Sequence, residues 1–289
     1  MNKKKTNIGF IGLGSMGSVM APLLARAGFN LITFDLTVKI KSEENMTQVK
    51  KLDEVVCCGI IILMLPDGTT VREVALNLAI KGFNGYLVDM SSCHPSDTLE
   101  LGLLLKEHDI QLIDAPVSGG VKKAISGSLM IMVGGSETDF LFIKPLLNFL
   151  GSATHLGPLG AGHAMKALNN YVSASGLLAS MQALATAEKY GINSKNFVNV
   201  INGSTGMNNS TQLKFDPFII PRNYKSGFSL KLMTKVVEIA SDLIRNENFS
   251  TPLSDYLPKY LKEALVNLYE DADHTALYEQ VNPKGDDKE

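Results

Sequence analysis

The glycine-rich segment Gly12–Gly17 constrains the fold of this chain more than any other feature. Its six residues, Gly12-Leu13-Gly14-Ser15-Met16-Gly17, follow an apolar run typical of a buried strand and precede a helical pattern that ends near Gly28. A Gly-x-Gly-x-x-Gly turn permits tight chain reversal and lets the backbone approach a pyrophosphate at the helix N-terminus. A glycine turn without a ligand is the alternative. The turn predicts the first strand and helix of a dinucleotide-binding domain.

An acid at the end of the next predicted strand extends this pattern. Leu31–Phe34 forms that strand, and Asp35 follows it, eighteen residues after Gly17. An acid at this place accepts hydrogen bonds from the ribose hydroxyls of NAD, and its charge repels the additional phosphate of NADP. Leu36 follows Asp35 directly, and no Arg or Lys stands beside it. The sequence therefore predicts NAD as cofactor and disfavours NADP, with a plain surface aspartate as the alternative.

The first half of the chain alternates strand and helix patterns. Further apolar runs occur at Gly59–Leu65, Tyr86–Met90, Gln111–Asp114 and Leu129–Val133. Apolar strands separated by helices are typical of a parallel sheet covered on both faces. We therefore expect an α/β fold with a Rossmann-type, doubly wound parallel sheet over residues 1–162, in which the polar segment Ser42–Val55 forms one helix.

The second half shows only helical patterns. One long helix is predicted over His163–Tyr190 and ends at Gly191, and Asn193–Tyr278 continues as shorter helices. The polar residues Lys284–Glu289 are expected to fray. We therefore predict an all-helical domain over residues 163–289 that begins with the long interdomain helix.

Composition excludes several classes of function. Lys and Arg number 27 against 29 Asp and Glu, so no basic field exists to bind a nucleic acid or an anionic membrane. Three cysteines cannot form a disulfide framework, which indicates a cytoplasmic protein. Five histidines show no metal-ligand spacing, so no metal is expected. Ala167–Ala187 lacks charge but contains many Asn, Ser and Gln residues, which favours a buried helix over a membrane span.

Two further motifs carry candidate chemistry. Ser118-Gly119-Gly120 follows a predicted strand, where a hydroxyl and inward-turned backbone N–H groups can hold an anion; an ordinary strand-to-helix turn is the alternative. Lys166 is the only charged residue between Gly162 and Glu188, and it lies four residues before Asn170 on one helix face. Such a lysine either extends its ammonium to water or lies in a cleft with a lowered pKa.

These motifs together resemble the β-hydroxyacid dehydrogenase family, which includes 3-hydroxyisobutyrate dehydrogenase and tartronate semialdehyde reductase. The resemblance covers essentially the whole chain. Four regions carry it in order, with Leu65-Pro66 and Asp89–Ser92 in addition: Ile8–Gly17, Ser118–Gly120, Gly160–Asn170 and Phe228–Leu230 leading to Lys235.

The resemblance implies roles for individual residues. Lys166 matches the catalytic lysine, a general acid/base, and Asn170 matches the asparagine that orients the substrate. Ser118, Gly119 and Gly120 match the loop that holds the substrate carboxylate. The residues expected to contact the cofactor are Gly12, Leu13, Gly14, Ser15, Met16, Gly17, Asp35, Leu65, Pro66, Ser92 and Lys235.

The sequence departs from the family pattern at two places. Val236 stands where the family usually has Asp, next to Lys235, which is expected to close over the cofactor. Lys122 and Lys123 replace small residues after the substrate loop. They are either solvated or add positive charge for a more anionic substrate.

We therefore expect an NAD-dependent enzyme that transfers a hydride between the cofactor and a small β-hydroxyacid or its semialdehyde. The substrate carries a carboxylate or, in its place, a sulfonate, and the resemblance implies a homodimer or homotetramer. An imine reductase-like NAD(P)H enzyme and a non-catalytic dinucleotide-binding protein are the alternatives. Substrate choice depends on helical-domain residues such as Asn208, Asn209 or Phe228, which the sequence does not place.

Overall fold

The computed structural model describes residues 7–41, 43–269 and 271–283. The predicted fraying of Lys284–Glu289 lies outside these residues. The chain divides into two compact units, Met1–Lys166 and Ala167–Glu289.

A mainly parallel sheet forms the centre of the first unit. Its strands, within the described residues, are β1 (Asn7–Ile11), β2 (Asn30–Phe34), β3 (Met46–Gln48), β4 (Ile60–Leu63), β5 (Tyr86–Asp89), β6 (Gln111–Asp114), β7 (Val117–Ser118), β8 (Leu129–Gly134) and β9 (Gly151–Gly157). They are arranged in the order β3-β2-β1-β4-β5-β6-β8-β7, and β9 pairs with β8. The strands from β3 to β6 are parallel, whereas β8 runs antiparallel to β6 and β7.

The described part of the chain contains eleven α-helices. Those that begin in the first unit are α1 (Gly17–Arg26), α2 (Gly68–Ile80), α3 (Pro95–Lys106), α4 (Gly120–Ile125), α5 (Glu137–Leu147) and α6 (Ala161–Lys189). Those of the second unit are α7 (Ser194–Asn202), α8 (Asn209–Leu213), α9 (Leu230–Asn246), α10 (Pro252–Asn267) and α11 (Leu277–Val281).

Strand β4 shows why helices cover both faces of the sheet. All four of its residues are apolar and buried, and successive side chains of a strand point to opposite faces. Ile60 and Ile62 pack in one core with residues of α1 and α5, while Ile61 and Leu63 pack in another with residues of α2 and α3. The predicted doubly wound sheet is therefore confirmed.

The sequence-based prediction for Ser42–Val55 is wrong. Instead of a helix, the described residues of this segment contain β3, which pairs in parallel with β2, and a short 3-10 turn at Leu52–Val55. The segment lacks an apolar stripe at helical spacing, and pairing at the sheet edge stabilises an extended backbone instead. Strands β7 and β9 were also missed.

The second unit is helical, as expected. Its core joins the later turns of α6 to α9 and α10, through residues such as Leu177, Leu184, Val237, Leu257 and Leu261. The uncharged stretch of α6 is therefore part of a protein core. Within the described residues, no helix has both the length and the apolar character needed to cross a bilayer.

Candidate active site

The carboxyl ends of the central strands lie side by side at one edge of the sheet. Ile11 pairs with Leu63, Leu63 with Asp89, and Asp89 with Asp114, so the loops that follow β1, β4, β5 and β6 leave the sheet together. Strand order reverses between β1 and β4, and ligands of such sheets bind at the crevice outside this point. The predicted glycine turn, Leu65-Pro66 and Ser92 all follow strands at this edge.

Each glycine of the Gly-x-Gly-x-x-Gly turn meets a different requirement. Gly12 has φ +95°, and a Cβ there would lie 2.2 Å from the carbonyl oxygen of Met64. A Cβ on Gly17 would overlap the carbonyl oxygen of Gly12. Gly14, in contrast, is exposed and a Cβ there would meet no protein atom within 4 Å. Gly12 and Gly17 are required by the turn itself, whereas the space beside Gly14 fits a close ligand.

The turn also presents backbone donors at the start of α1. Ser18 N–H bonds to Gly14 and Met20 N–H to Met16, while the helix has no side-chain cap. Among the described residues, the backbone N–H groups of Ser15, Met16 and Gly17 have no hydrogen-bond acceptor. Unpaired N–H groups at a helix N-terminus favour an anion. The residues present therefore fit the pyrophosphate of a dinucleotide.

Asp35 is held by backbone donors from two loops. Leu13 N–H donates to Oδ2 at 2.7 Å, and the N–H groups of Thr37 and Val38 donate to Oδ1 at 2.8 and 2.7 Å. Burial raises the pKa of this carboxyl, but the N–H donors outweigh it and hold the pKa below its ordinary value. A carboxylate oxygen can accept two hydrogen bonds, so Oδ2 retains an acceptor position for a ribose hydroxyl.

The loops after β4 and β5 are tied together beside the glycine turn. Leu65 N–H donates to Ser91 Oγ at 2.9 Å, and Ser91 N–H donates to Asp89 Oδ1 at 2.9 Å. Pro66 is exposed and Ser92 is half-buried. The structure thus brings the predicted cofactor-contacting loops to one edge and fixes two of them to each other.

The predicted substrate loop has a glycine backbone. Gly119 has φ +135° and Gly120 has φ +64°, values that favour glycine, and α4 begins at Gly120. Ser118 ends β7 and is half-buried. A Cβ on Gly119 would lie 2.6 Å from Lys123 Cδ, so the stem of Lys123 covers this glycine. Lys122 and Lys123 are both exposed.

Lys166 is the sixth residue of α6 and is half-buried. Burial lowers the pKa of its ammonium to about 8, because a charged amine loses hydration when it is enclosed. Of the two alternatives that the sequence left open, the structure favours the enclosed lysine with a lowered pKa. Such a group can exchange a proton near neutral pH.

Asn170 lies one helical turn after Lys166. Its side chain is buried and its Nδ2 has no hydrogen-bond partner among the described residues, while Oδ1 accepts from Asn169 Nδ2 at 3.3 Å. A buried donor without an acceptor costs about 1 to 3 kcal/mol. The unpaired amide therefore fits an acceptor atom supplied by a ligand.

Asp114 caps the helix that carries Lys166. It is fully buried at the end of β6, and its two oxygens accept from the N–H groups of Gly160 and His163, both at 2.7 Å. The sequence pattern identifies Asp114 only as the last residue of the apolar run Gln111–Asp114. The available signal was an acid that directly ends an apolar strand, where a buried carboxylate needs donors.

A buried cluster near this cap was not predicted from sequence spacing. One ligand atom each from Asp89, Cys93 and His163 lies within 4.8 Å of the others, an arrangement that could hold a metal ion. Each group nevertheless has protein partners: Cys93 Sγ donates to Asp89 Oδ2 at 3.2 Å, and the His163 ring contacts Thr98 and Ser91. We interpret the cluster as a hydrogen-bond network.

The second unit contains the remaining predicted residues. Lys235 is half-buried on α9, and Val236 beside it is 1% exposed, so the valine occupies an apolar position. Asn208 caps α8 and donates to Ser180 Oγ at 2.9 Å. Phe228 packs edge-to-face on His274 with ring centroids 5.3 Å apart. Asn208 and Phe228 therefore have structural partners within their own unit.

Two family models match the chain. Residues 7–157 match the NAD-binding domain of 6-phosphogluconate dehydrogenase, and residues 160–281 match the NAD-binding region of NADP-dependent 3-hydroxyisobutyrate dehydrogenase. Together they cover both compact units. NAD(P) binding is therefore shown, without a choice between the two cofactors.

Individual proteins resemble this chain over most of its length. 2-(Hydroxymethyl)glutarate dehydrogenase of Eubacterium barkeri is 33% identical over 266 residues, which are 87% of each chain. The solved structure of Mycobacterium tuberculosis 3-hydroxyisobutyrate dehydrogenase with L-serine superimposes with a TM-score of 0.86 at 29% identity, covering 96% of this chain and 99% of that one. An imine reductase from Myxococcus stipitatus with NADP+ has a TM-score of 0.63 at 20% identity, covers 94% and 98% of the two chains, and shows the fold alone.

The resemblance seen in the sequence is confirmed by the order of the motifs, by the doubly wound sheet with its glycine turn, and by these relatives. The chain belongs to the β-hydroxyacid dehydrogenase family and is an NAD(P)-dependent hydroxyacid dehydrogenase.

Proposed function

We propose that this enzyme interconverts a small β-hydroxyacid and its semialdehyde, prefers NAD to NADP, and uses Lys166 as its general acid and base. The pairing of Lys166 with Asn170 carries the proposal. One is a half-buried amine whose pKa is lowered to about 8, and the other is a buried amide whose Nδ2 has no partner among the described residues, one turn further along the same helix.

The lowered pKa makes both protonation states of Lys166 accessible. At pH 8 about half of the side chains are neutral, whereas roughly 0.3% would be neutral at the ordinary lysine pKa. In oxidation, neutral Nζ accepts the hydroxyl proton of the substrate. In reduction, the ammonium donates a proton to the oxygen that develops negative charge. A positioned proton transfer of this kind contributes roughly 10² to 10⁴ in rate.

The other residues orient the substrate. Ser118 Oγ and the N–H groups around Gly119 and Gly120 would hold the acid group, whose two oxygens accept hydrogen bonds. Asn170 Nδ2 would donate to the substrate and so satisfy its buried amide. Bound nicotinamide would supply or accept the hydride. Holding the reacting groups in one geometry lowers the entropic part of the barrier.

The preference for NAD follows from Asp35. Its carboxylate is fixed by three N–H donors and keeps one acceptor position on Oδ2 for a ribose hydroxyl. A phosphate on that ribose would place negative charge against the carboxylate. Leu36 is 88% exposed and offers no compensating cation. The two matching family models name both NAD and NADP, so the preference for NAD rests on Asp35 and Leu36.

Three further features belong to the proposal. Residues 1–162 form the dinucleotide-binding domain, and residues 163–289 form the substrate and assembly domain of a homodimer or homotetramer. Lys235, Leu65, Pro66 and Ser92 contribute to cofactor binding. The cytoplasm is the proposed compartment, since none of the three cysteines forms a disulfide.

A turnover assay with a panel of aldehydes and imines tests this function. Purified enzyme is mixed with NADH or NADPH and with semialdehydes that carry a carboxylate or a sulfonate. Each substrate is paired with a control aldehyde that has a methyl group in place of the acid. Cyclic imines form the third set.

We expect turnover of at least one acidic semialdehyde, a kcat/KM at least 10-fold higher with NADH than with NADPH, and loss of activity on the methyl control. Turnover of imines alone would indicate the imine reductase alternative. Cofactor binding by fluorescence titration without turnover of any substrate would indicate a dinucleotide-binding protein instead.

A further inference from the structure

The first turn of α6 is fixed by a buried polar network drawn from three other elements of the first unit. Asp114, at the end of β6, accepts from the N–H of His163 at 2.7 Å. Thr98, on α3, contacts His163 Nδ1 at 2.8 Å through its hydroxyl. The carbonyl oxygen of Ser91, in the loop after β5, lies 3.2 Å from His163 Nε2. His163 and Thr98 are 1% and 3% exposed.

The ring of His163 is oriented by the chemistry of its partners. A carbonyl oxygen can only accept, so Nε2 carries the proton toward Ser91. Nδ1 lies 2.8 Å from the Thr98 hydroxyl oxygen, which is itself 3.2 Å from the His94 carbonyl oxygen. Asp89 Oδ2 and Asp114 Oδ2 lie further away, at 3.7 and 3.8 Å from the two ring nitrogens. Each ring nitrogen therefore has a hydrogen-bond partner within the buried network.

Two glycines leave room for the carboxylate of Asp114, which caps α6. A Cβ on Gly134 would lie 2.3 Å from Asp114 Oδ1, and a Cβ on Gly162 would lie 2.8 Å from Asp114 Oδ2 and 2.2 Å from the Met132 carbonyl oxygen. Two glycines thus let β8 and α6 approach a buried carboxylate. Close packing of this kind fixes the axis and rotation of α6 at its first turn.

The network also reaches the loops that the sequence assigns to the cofactor. Ser91, whose carbonyl faces His163, accepts the N–H of Leu65 on its Oγ at 2.9 Å. A continuous series of hydrogen bonds therefore joins the loop after β4, the loop after β5, α3 and the start of α6. Lys166 follows His163 by three residues, which are neighbouring positions on one helix face.

We propose that His163, held by Thr98 and Ser91, is a positioning residue that sets the location of Lys166 relative to the cofactor-binding loops. This inference rests on the proposed role of Lys166. In the proposed mechanism His163 contacts no reacting atom, and it acts through the helix that it anchors. A misplacement of about 1 Å in a reacting group can cost on the order of 100-fold in rate.

Thr98 offers a test that leaves His163 in place. Thr98→Val keeps the shape of the side chain but removes the hydroxyl, and Thr98→Ser restores it. We expect Thr98→Val to lower kcat at least 10-fold, while KM for the aldehyde and the Kd for NADH change less than threefold. Thr98→Ser should recover kcat to within threefold of wild type. Unchanged kcat in folded Thr98→Val, or no recovery in Thr98→Ser, would overturn the inference.

A matched helix-cap variant controls for simple loss of stability. Ser136 caps α5 in the same unit, where its Oγ accepts from Asp139 N–H at 3.1 Å, and it has no assigned role in the site. Ser136→Ala should lower Tm and leave kcat unchanged. If kcat in Ser136→Ala fell as far as in Thr98→Val, a general loss of stability would explain both, and the inference would be wrong.

A double-mutant cycle shows whether His163 acts through Lys166. His163→Gln should lower kcat at least 10-fold in the wild-type background but change the residual kcat of Lys166→Ala less than threefold. Equal losses in both backgrounds would refute the positioning role. Near-normal turnover in Lys166→Ala alone would instead refute the proposed function, so the two failures are distinguishable.

Discussion

Replacing Gly14 by alanine should weaken cofactor binding without destabilising the fold. The conformation of the glycine turn requires Gly12 and Gly17, whereas Gly14 leaves space for the cofactor. A Cβ on Gly14 meets no protein atom within 4 Å, and Gly14 is not among the glycines with positive φ. Alanine at such a position is neutral or stabilises by up to about 1 kcal/mol, since it restricts the unfolded chain. The folded enzyme should therefore be at least as stable as wild type.

Cofactor binding should respond in the opposite direction. The added methyl group occupies the space that the pyrophosphate needs near the N–H groups of Ser15 and Met16. Losing one charge-assisted hydrogen bond costs about 1.5 to 3 kcal/mol, which corresponds to a rise in the Kd for NADH of about 10- to 100-fold.

Fluorescence titration with NADH and thermal unfolding without cofactor measure the two effects on one preparation. Gly203→Ala is the control, because a Cβ at Gly203 would make only ordinary contacts, the nearest at 3.4 Å from Asn199 O, and Gly203 lies outside the turn. Gly12→Ala should lower Tm instead, since its Cβ would overlap Met64 O. Unchanged NADH affinity in Gly14→Ala would refute the placement of the pyrophosphate.

Three further predictions concern cofactor choice, the acid group and pH. Asp35→Asn combined with Leu36→Arg should raise the ratio of kcat/KM for NADPH over NADH at least 10-fold, because it removes repulsion and adds a phosphate partner; an unchanged ratio would contradict the role of Asp35. Ser118→Ala should lower kcat/KM about 10- to 100-fold on an acidic semialdehyde through the loss of a charge-assisted hydrogen bond, with little effect on the methyl control; equal losses on both would place the clamp elsewhere. Because the pKa of Lys166 is lowered to about 8, kcat/KM for oxidation should rise as pH increases through about 8, and kcat/KM for reduction should fall over the same range. Initial rates from pH 6 to 10 measure this dependence, and parallel profiles in the two directions would exclude Lys166 as the titrating group.

The sequence predicted the parts of the fold that depend on local patterns. Strand β4 is uniformly apolar and buried on both faces, so its apolar run was visible without any partner. The glycine turn was equally visible, because a positive φ at Gly12 and the close packing of Gly17 require glycine. In contrast, β3 has three residues and is stabilised by its pairing with β2, which no local pattern reveals.

The candidate site likewise contains residues that the sequence identified and contacts that it did not reveal. Lys166 and Asn170 were identified from their spacing along one helix, and the orphan amide of Asn170 adds a reason that the sequence does not contain. The cap formed by Asp114 on α6 joins residues 46 and 49 positions apart in the chain, and the contact of Thr98 with His163 spans 65. Hydrogen bonds between such distant residues depend on how strands and helices pack.

The role of Lys166 is tested most sharply by comparing wild type with Lys166→Ala and Lys166→Arg on the best acidic semialdehyde, with NADH affinity measured in parallel. A proton donor at this position predicts a fall in kcat of at least about 100-fold in Lys166→Ala. NADH affinity should stay within about threefold. Lys166→Arg should not restore kcat, because a guanidinium does not release its proton at usable pH. Near-normal kcat in Lys166→Ala would contradict the proposed mechanism, and a parallel loss of NADH binding would assign Lys166 a structural role instead.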